Sequence, residues 1–449
     1  MTQLSDSPSA TAGPLDPELR REVVDLLRAL VRCDTSNPPG HEAQAAAIIE
    51  DHVRGSGLEC ERVADDPERP NLIVRLRGSG DGPSLGFLGH LDVIGVDRAD
   101  WTEDPFAAVE RDGWIWGRGT VDMKCQVAAT TVALAQLARE GFRPKGDLML
   151  ILTADEEDGD AGIGAPALVK AKPDLCPDYI VGEGSGERFD TPVGPIYMLD
   201  CGVKGSASAK LHVQGVAGDA SLPDIGRNAI HELGMLLERL REWRSPVRVP
   251  SELHELLDTL APGESDRTRQ VEIAREANPA LDQIIGALTG TVFHPVILDA
   301  PGPDNIVPRR ATALISAIVL PDTTTEELEA ELRAALGDGN YELEMEDPNG
   351  GLISTPDSPL RDAVESFLAE HDPDARLVPG LAYGLSDCEV MRDAYGSIAY
   401  GFIPFRHVDP MLNLTTKHGA DERIRIDDLE FQVQAALSVA RTMGEQTKD

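Results

Sequence analysis

The chain has 449 residues, of which 41% are hydrophobic, so it can bury a large core and form two domains or one domain with a substantial insertion. Its 78 acidic and 41 basic residues leave a net charge of −37, which would repel the phosphate backbone of a nucleic acid. No apolar run approaches the roughly 20 residues of a membrane helix, and the start, MTQLSDSPSATAGPLDPELR, lacks the blocks of a secretory signal. We therefore expect a cytoplasmic protein with no nucleic-acid or membrane partner.

Residues 14–179 alternate helix and strand patterns, as expected for a wound α/β sheet. Helices are predicted over Glu18–Cys33, Glu42–Ser56 and Met123–Glu140. Apolar runs bounded by Gly, Pro or Asp predict buried strands at Asn71–Leu76, Ser84–Ile94 and Asp147–Ala154. The third helix lies between the last two strands, which predicts a βαβ unit.

The pattern changes near Cys201. Residues 204–214 alternate as in a half-exposed strand, and residues 227–243 predict an amphipathic helix. A polar stretch, 261–278, precedes a further strand, helix and strand that end near Met345, and apolar runs return at 397–405 before a final helix over 427–443. The sequence therefore predicts an α/β domain, residues 1–201 and 347–449, interrupted by a smaller α+β insertion, residues 202–346.

Two candidate metal-binding segments lie at the end of a strand and in a turn. His90 and Asp92, in the sequence HLD, stand where a buried strand ends, and side chains two residues apart in an extended chain point to the same side. Asp122 lies in GRGTVDMK, a glycine-rich turn that leads into a helix, where its carboxylate could bridge two cations. The alternative role for Asp122 is a helix cap.

Further acidic and imidazole groups follow other strands. Glu156 and Glu157 are neighbours in TADEE, and two carboxylates there need a cation or a shared proton, unless they form an exposed acidic loop. Glu183 follows the strand pattern of DYIVGEG, and His418 stands in TTKHGADER. Because ligands gather at the carboxyl ends of strands, these groups together predict a site for Zn²⁺ or a similar divalent ion, and a bridging carboxylate suits a pair of ions.

The blocks HLD, GRGTVDMK, TADEE, VGEG and KHGADER resemble, in the same order along nearly the whole chain, those of a family of di-zinc hydrolases. The family includes carboxypeptidase S, aminoacylase, succinyl-diaminopimelate desuccinylase and glutamate carboxypeptidase, and DWTEDPFAAVERDGWIWGRGTVDMK is similar to the carboxypeptidase S and aminoacylase branch. The resemblance implies a zinc-exopeptidase-like fold, in which a wound mixed sheet is flanked by helices. It also implies that the α+β insertion is a lid and dimerisation domain, so a homodimer is expected.

The resemblance also implies a role for each matched residue. Two divalent metal ions, zinc by expectation with cobalt and manganese left open, would be bound by His90, Asp122, Glu157, Glu183 and His418, and Asp122 would bridge them. Glu156 would be the general base that activates a water molecule, and Asp92 would orient His90.

The insertion departs from the family pattern at two positions. Asp219, in AGDASLP, stands where the family has a lid histidine in GHxSxP that helps to stabilise the oxyanion, and Ile318, in SAIVLP, stands where the family has an arginine that grips the substrate carboxylate. Replacing an oxyanion donor can cost roughly 10²- to 10³-fold in rate. Asn305, in DNIVP, remains a candidate donor, while further candidates for anion binding are His294, Arg309, Arg310, Arg392 and Arg406.

The expected activity is hydrolysis of an amide bond in a dipeptide, at a peptide C-terminus or in an N-acyl amino acid. Asp219 and Ile318 keep two alternatives open: a hydrolase of another amide or ester, and a relative that binds metal and ligand without turnover. Glu156 argues against the second alternative, because a binding protein has no use for a general base.

Overall fold

The structure is a computed structural model that describes residues 13–159 and 161–447. Residues 1–12, on which the expectation about a secretory signal largely rests, lie outside the described residues, so the cytoplasmic location stays a prediction. Within the two described ranges, no helix combines the length and the apolar character needed to cross a membrane.

Helices of the described residues cover both ends and the middle of the chain. They are α1 (Pro17–Arg32), α2 (Glu42–Val53), α3 (Lys124–Arg139), α4 (Ala165–Ala171), α5 (Ala229–Glu242), α6 (His254–Leu260), α7 (Arg267–Glu276), α8 (Pro279–Leu288), α9 (Thr325–Leu336), α10 (Pro359–His371), α11 (Cys388–Tyr395), α12 (Pro410–Thr416) and α13 (Ile426–Gly444).

Strands of the described residues form two large and two small sheets. They are β1 (Ser36–Asn37), β2 (Glu59–Val63), β3 (Asn71–Leu76), β4 (Leu85–His90), β5 (Val93–Ile94), β6 (Val109–Arg111), β7 (Trp114–Trp116), β8 (Leu148–Thr153), β9 (Tyr179–Gly182), β10 (Ile196–Val203), β11 (Gly205–Gln214), β12 (Val292–Asp299), β13 (Arg310–Val319), β14 (Tyr341–Met345), β15 (Asn349–Gly350), β16 (Arg376–Ala382), β17 (Ile398–Gly401) and β18 (Arg423–Arg425).

The larger sheet is mixed and has the strand order β16-β10-β17-β9-β4-β8-β3-β2. Its central neighbours β9, β4 and β8 are parallel, and β4, α3 and β8 form the predicted βαβ unit. Helices cover both faces. Leu148, Leu150 and Leu152 of β8 pack into the core beneath α1, α3, α10 and α13, whereas Met149 and Ile151 pack into a second core beneath α4 and α11. Because neither face meets water, each central strand is a continuous apolar run in the sequence.

The smaller sheet has the order β12-β13-β11-β14, with β15 also paired to β11, and α5 and α9 pack on it. The predicted helix over 227–243 and strand over 204–214 therefore form as α5 and β11. The division into domains at residues 202 and 346 stays a prediction.

Helices α6, α7 and α8 lie in and around the polar stretch 261–278, where the sequence reasoning predicted none. Only a narrow stripe of α7 is buried, formed by Gln270, Val271 and Ala274, so its sequence has little apolar periodicity. Its start is fixed by Asp266, whose carboxylate accepts hydrogen bonds from the N–H groups of Thr268 and Arg269. The three helices pack in one cluster with residues of β10 and β16, and so extend the core of the larger sheet.

Glu422 joins two distant segments beside the end of β4. Its buried carboxylate accepts hydrogen bonds from the backbone N–H groups of Gly119, Val121 and Asp122, at 2.9, 2.6 and 3.0 Å, and from Arg118 Nη1 at 2.6 Å. The turn needs glycine at 119, where φ is +87° and a Cβ atom would come within 2.9 Å of Val93. The GRGTVD turn and the C-terminal KHGADE segment are thus held together by one ionised side chain.

Replacing Glu422 by Gln should lower the free energy of unfolding by about 3 to 5 kcal/mol, because buried Arg118 loses its ionised partner and an amide group faces N–H donors. Urea unfolding measures the change. The matched control is Glu59→Gln, which breaks the exposed Arg77–Glu59 pair and should cost less than about 1 kcal/mol. Equal effects of the two substitutions would contradict the anchoring role of Glu422.

Candidate metal centre

The parallel strands β4, β8 and β9 end at the same edge of the larger sheet, and each delivers a predicted site residue there. His90 is the last residue of β4, Glu156 and Glu157 follow β8, and Glu183 follows β9. Since the carboxyl ends of neighbouring parallel strands lie side by side, residues from three distant parts of the sequence meet at one place.

Two groups of side chains at this edge could each hold a metal ion. The first is His90, Asp122 and Glu183, the second is Asp122, Glu157 and His418, and within each group the ligand atoms lie within 4.8 Å of one another. Asp122 belongs to both. Its Oδ1 lies 3.2 Å from His90 Nε2, and its Oδ2 lies 3.1 Å from His418 Nε2. Each oxygen of one carboxylate thus faces a different imidazole, as in a carboxylate that bridges two cations.

The charge and burial of these groups fit cations. The side chains of Asp122 and Glu157 are 3% and 4% exposed, and within the described residues Glu157 Oε1 has no hydrogen-bond partner. A buried, ionised oxygen without a donor is costly, and coordination to a cation would satisfy it. Imidazole nitrogens together with carboxylate oxygens are the donors that Zn²⁺ and similar divalent ions take.

The backbone oxygen of Asp92 orients His90 more than the Asp92 carboxylate does. His90 Nδ1 lies 3.0 Å from the backbone oxygen of Asp92 and 3.6 Å from its Oδ1, which is beyond hydrogen-bond range. In the tautomer that carries its hydrogen on Nδ1, the ring donates to this backbone oxygen and leaves the Nε2 lone pair for a ligand. Asp92 therefore orients His90, but chiefly through its main chain.

The Asp92 carboxylate instead holds the turn that carries Glu156 and Glu157. It accepts hydrogen bonds from the N–H groups of Glu156 and Glu157, at 3.2 and 3.1 Å, and from Asn37 Nδ2 at 2.9 Å. Asn37 also donates to Asp155 Oδ1 at 3.0 Å, so the turn is tied from two sides.

Glu156 lies beside the two groups without belonging to either. Burial raises the pKa of its carboxyl well above the ordinary range, and the nearby Glu183 carboxylate raises it further. A carboxyl group with a high proton affinity, next to a site for cations, is suited to accept a proton and release it again.

Lys417 is a member of this site that the sequence reasoning missed, although it stands beside His418 in the quoted block KHGADER. Its Nζ lies 2.7 Å from Glu183 Oε1 and 3.4 Å from Asp122 Oδ2. Burial opposes its charge, but these two carboxylates hold the pKa of Lys417 well above its ordinary value. Glu422, from the same block, was missed as well, as was Asn37.

The predicted residues of the insertion belong to neither group. Asp219 and Asn305 are exposed and lie on adjoining segments, since Ala220 N–H donates to the backbone oxygen of Asn305 and Asp219 pairs with Ile306. Ile318 lies on β13, opposite Ser206 of β11. Of the arginines considered for anion binding, Arg392 is buried and donates to the Ala399 backbone oxygen at 2.6 Å, which is a structural role.

Known proteins share this fold and parts of the sequence. A succinyl-diaminopimelate desuccinylase of Paracoccus denitrificans (strain Pd 1222) is 29% identical over 420 residues, which cover 90% of this chain and 94% of that protein. A desuccinylase of Cereibacter sphaeroides (strain KD131 / KCTC 12085) is 38% identical over 232 residues, but the match spans 51% of this chain and only 57% of the relative's length.

Two solved structures have the same fold. The M20 family metallo-carboxypeptidase Sso-CP2 from Sulfolobus solfataricus has a TM-score of 0.70 at 18% identity, with 96% of this chain and 100% of that chain covered. Human carnosine dipeptidase 1 has a TM-score of 0.65 at 17% identity, with 94% and 97% covered. The likeness confirms the predicted fold class, a mixed sheet flanked by helices with a second, smaller α+β unit.

The predicted resemblance is confirmed by a match to a family model that runs from residue 86 to residue 442, from β4 nearly to the end of α13. Since this stretch takes in every residue of the two candidate metal groups, the chain belongs to Peptidase family M20/M25/M40.

Proposed function

We propose that this protein is a metal-dependent hydrolase that cleaves an amide bond close to a free carboxylate in a small peptide or N-acyl amino acid. The observation that carries the proposal is the pair of ligand groups that share Asp122, with the buried carboxyl of Glu156 beside them. Membership of a peptidase family supports the reaction class.

In the proposed site, two divalent ions, zinc in the first instance, would be held by His90, Asp122 and Glu183 in one group and by Asp122, Glu157 and His418 in the other. When bound, such ions supply Lewis acidity, which polarises a carbonyl group and acidifies a water molecule at neutral pH. The donor types suit cobalt and manganese as well as zinc.

Glu156 moves the proton in the proposed reaction. Its carboxylate accepts a proton from the attacking water molecule and passes it to the nitrogen of the leaving amine. Asp92 keeps Glu156 in place, because the Asp92 carboxylate accepts the backbone N–H of Glu156 at 3.2 Å.

Substrate choice is the part of the proposal that depends on the insertion. Both similar proteins described above carry the name succinyl-diaminopimelate desuccinylase, which supports N-succinyl and other N-acyl amino acids as substrates. The likeness to a carboxypeptidase and a dipeptidase keeps peptides as candidates.

Asp219 and Ile318 favour a second candidate function, in which the same metal chemistry acts on another amide or an ester. The reason is that a carboxylate and an aliphatic side chain can neither donate a hydrogen bond to an oxyanion nor pair with a substrate carboxylate.

The division into a catalytic domain, residues 1–201 and 347–449, and a lid and dimerisation domain, residues 202–346, is part of the proposal. An edge strand of the smaller sheet supports a homodimer, since Val296, Ile297 and Leu298 of β12 are 50%, 59% and 63% exposed. An exposed apolar edge strand is a surface that a second copy can cover.

Replacing Glu156 by Gln should reduce kcat for N-succinyl or N-acetyl amino acids and dipeptides by roughly 10²- to 10⁴-fold, while zinc content stays unchanged, because Gln cannot accept the proton. Steady-state kinetics on metal-loaded protein measures the loss. The matched control is Asp158→Asn, which alters an exposed carboxylate two residues along the same turn and should retain activity. Turnover by the Glu156→Gln variant at the wild-type rate would remove Glu156 from the mechanism.

Zinc binding tests the ligand groups directly. After chelation and dialysis against excess zinc, the protein should hold about two ions, and His90→Ala or His418→Ala should each reduce this to about one, since each variant breaks one group. Atomic emission measures the metal per chain. His212→Ala, which removes a partly exposed histidine of β11, is the control and should still bind two. Two ions retained in both site variants would argue that the metal lies elsewhere.

A further inference from the structure

Lys417 contacts a carboxylate that only one of the two ligand groups contains. Its Nζ lies 2.7 Å from Glu183 Oε1, which belongs to the His90–Asp122–Glu183 group alone, and 3.4 Å from Oδ2 of Asp122, the residue that both groups share. In the Asp122–Glu157–His418 group, the imidazole of His418 lies 3.1 Å from each of the two carboxylates. That imidazole becomes a ligand once it gives up any proton on Nε2, so a metal ion can enter this group without moving a side chain out of it.

The ammonium group and a metal ion would repel each other if both occupied the His90–Asp122–Glu183 group. Zinc binds a carboxylate oxygen at about 2.0 to 2.2 Å, so an ion on Glu183 Oε1 would lie within about 5 Å of Nζ at its present position. Two positive charges at that separation repel each other strongly where water is largely excluded. The Lys417 side chain is 28% exposed and has a flexible four-carbon stem, so it has a way out to solvent.

We infer that Lys417 is a tethered cation that competes with metal for the His90–Asp122–Glu183 group, so that the two groups fill in a fixed order. The Asp122–Glu157–His418 group binds its ion first. The other group binds its ion more weakly, because the ammonium must first leave Glu183, which only this group contains. A tethered competitor is always present at high effective concentration, whatever the amount of protein. The inference rests on the proposed metal centre and assigns a different affinity to each half of it.

The test is a calorimetric titration of metal-free protein with zinc alone. Wild type should show a tight step and a weaker one, and Lys417→Met should tighten the second step by about tenfold or more, since the competing charge is gone. His418→Ala should abolish the tight step and keep the weak one, which assigns the order. Lys417→Arg, which keeps the charge, should keep the two steps apart.

Two further variants make the result decisive. Lys210→Met removes an exposed lysine of β11, 3.7 Å from Glu344, and should leave both steps unchanged. Lys417→Gln is a second neutral variant, in case the methionine side chain disturbs folding, which a thermal melt reports.

The inference is overturned if both neutral variants fold and bind zinc with wild-type affinities, if only the first step changes, or if both lose zinc, since Lys417 would then support the site. Its failure is separate from failure of the proposed function, because amide hydrolysis by zinc-loaded wild type is measured independently of these affinities.

Discussion

The structure depends on the negative charge that it gathers around Asp122 at one edge of the larger sheet. This carboxylate is 3% exposed, it faces His90 with one oxygen and His418 with the other, and it has Glu157 and Glu183 in the same two groups. Carboxylates buried so close together repel one another and lose the stabilisation of water, so they require positive charge among them. The two imidazoles, the ammonium of Lys417 and the proposed metal ions can each supply this positive charge.

Two buried networks keep these ligands in place. Glu422 accepts three backbone N–H groups of the 119–122 turn and pairs with Arg118, which fixes Asp122 relative to the segment that carries His418. The other network runs from Glu42 through Arg69 to Asp155, and through Asn37 to Asp92, and it fixes the turn after β8. Because these hydrogen bonds fix the backbone of the ligand residues, the ligands keep their positions despite the repulsion between their charges. Such preorganisation lets the site bind cations without first reorganising.

Much of this could be predicted from the sequence, because the larger sheet is covered on both faces. Strand β3 forms over the predicted residues, and β4 and β8 form within the predicted runs, since strands buried on both sides are unbroken apolar segments. His90, Glu157 and Glu183 could be found because they end or follow buried strands, whereas Asp122, in a turn, and His418, after α12, were assigned by the resemblance to the family. Helix α7 could not be found, since few of its residues are buried. Lys417 and Asn37 were missed for another reason: their partners Glu183 and Asp92 are far away in the sequence, and only the folded chain shows which charges meet.

The proposed metal site and the predicted residues of the insertion differ in burial. The proposed metal ligands and their supports are buried or half-buried, except His418, whose side chain is 52% exposed. Asp219 and Asn305 lie on exposed segments of the insertion, where substitution disturbs little packing. A change there leaves the candidate metal groups intact, whereas a change at Asp92 or Glu422 removes hydrogen bonds that hold the ligand segments. The departures from the family pattern at Asp219 and Ile318 lie outside the two candidate metal groups, so they concern contacts to the oxyanion and the substrate carboxylate and not the binding of metal.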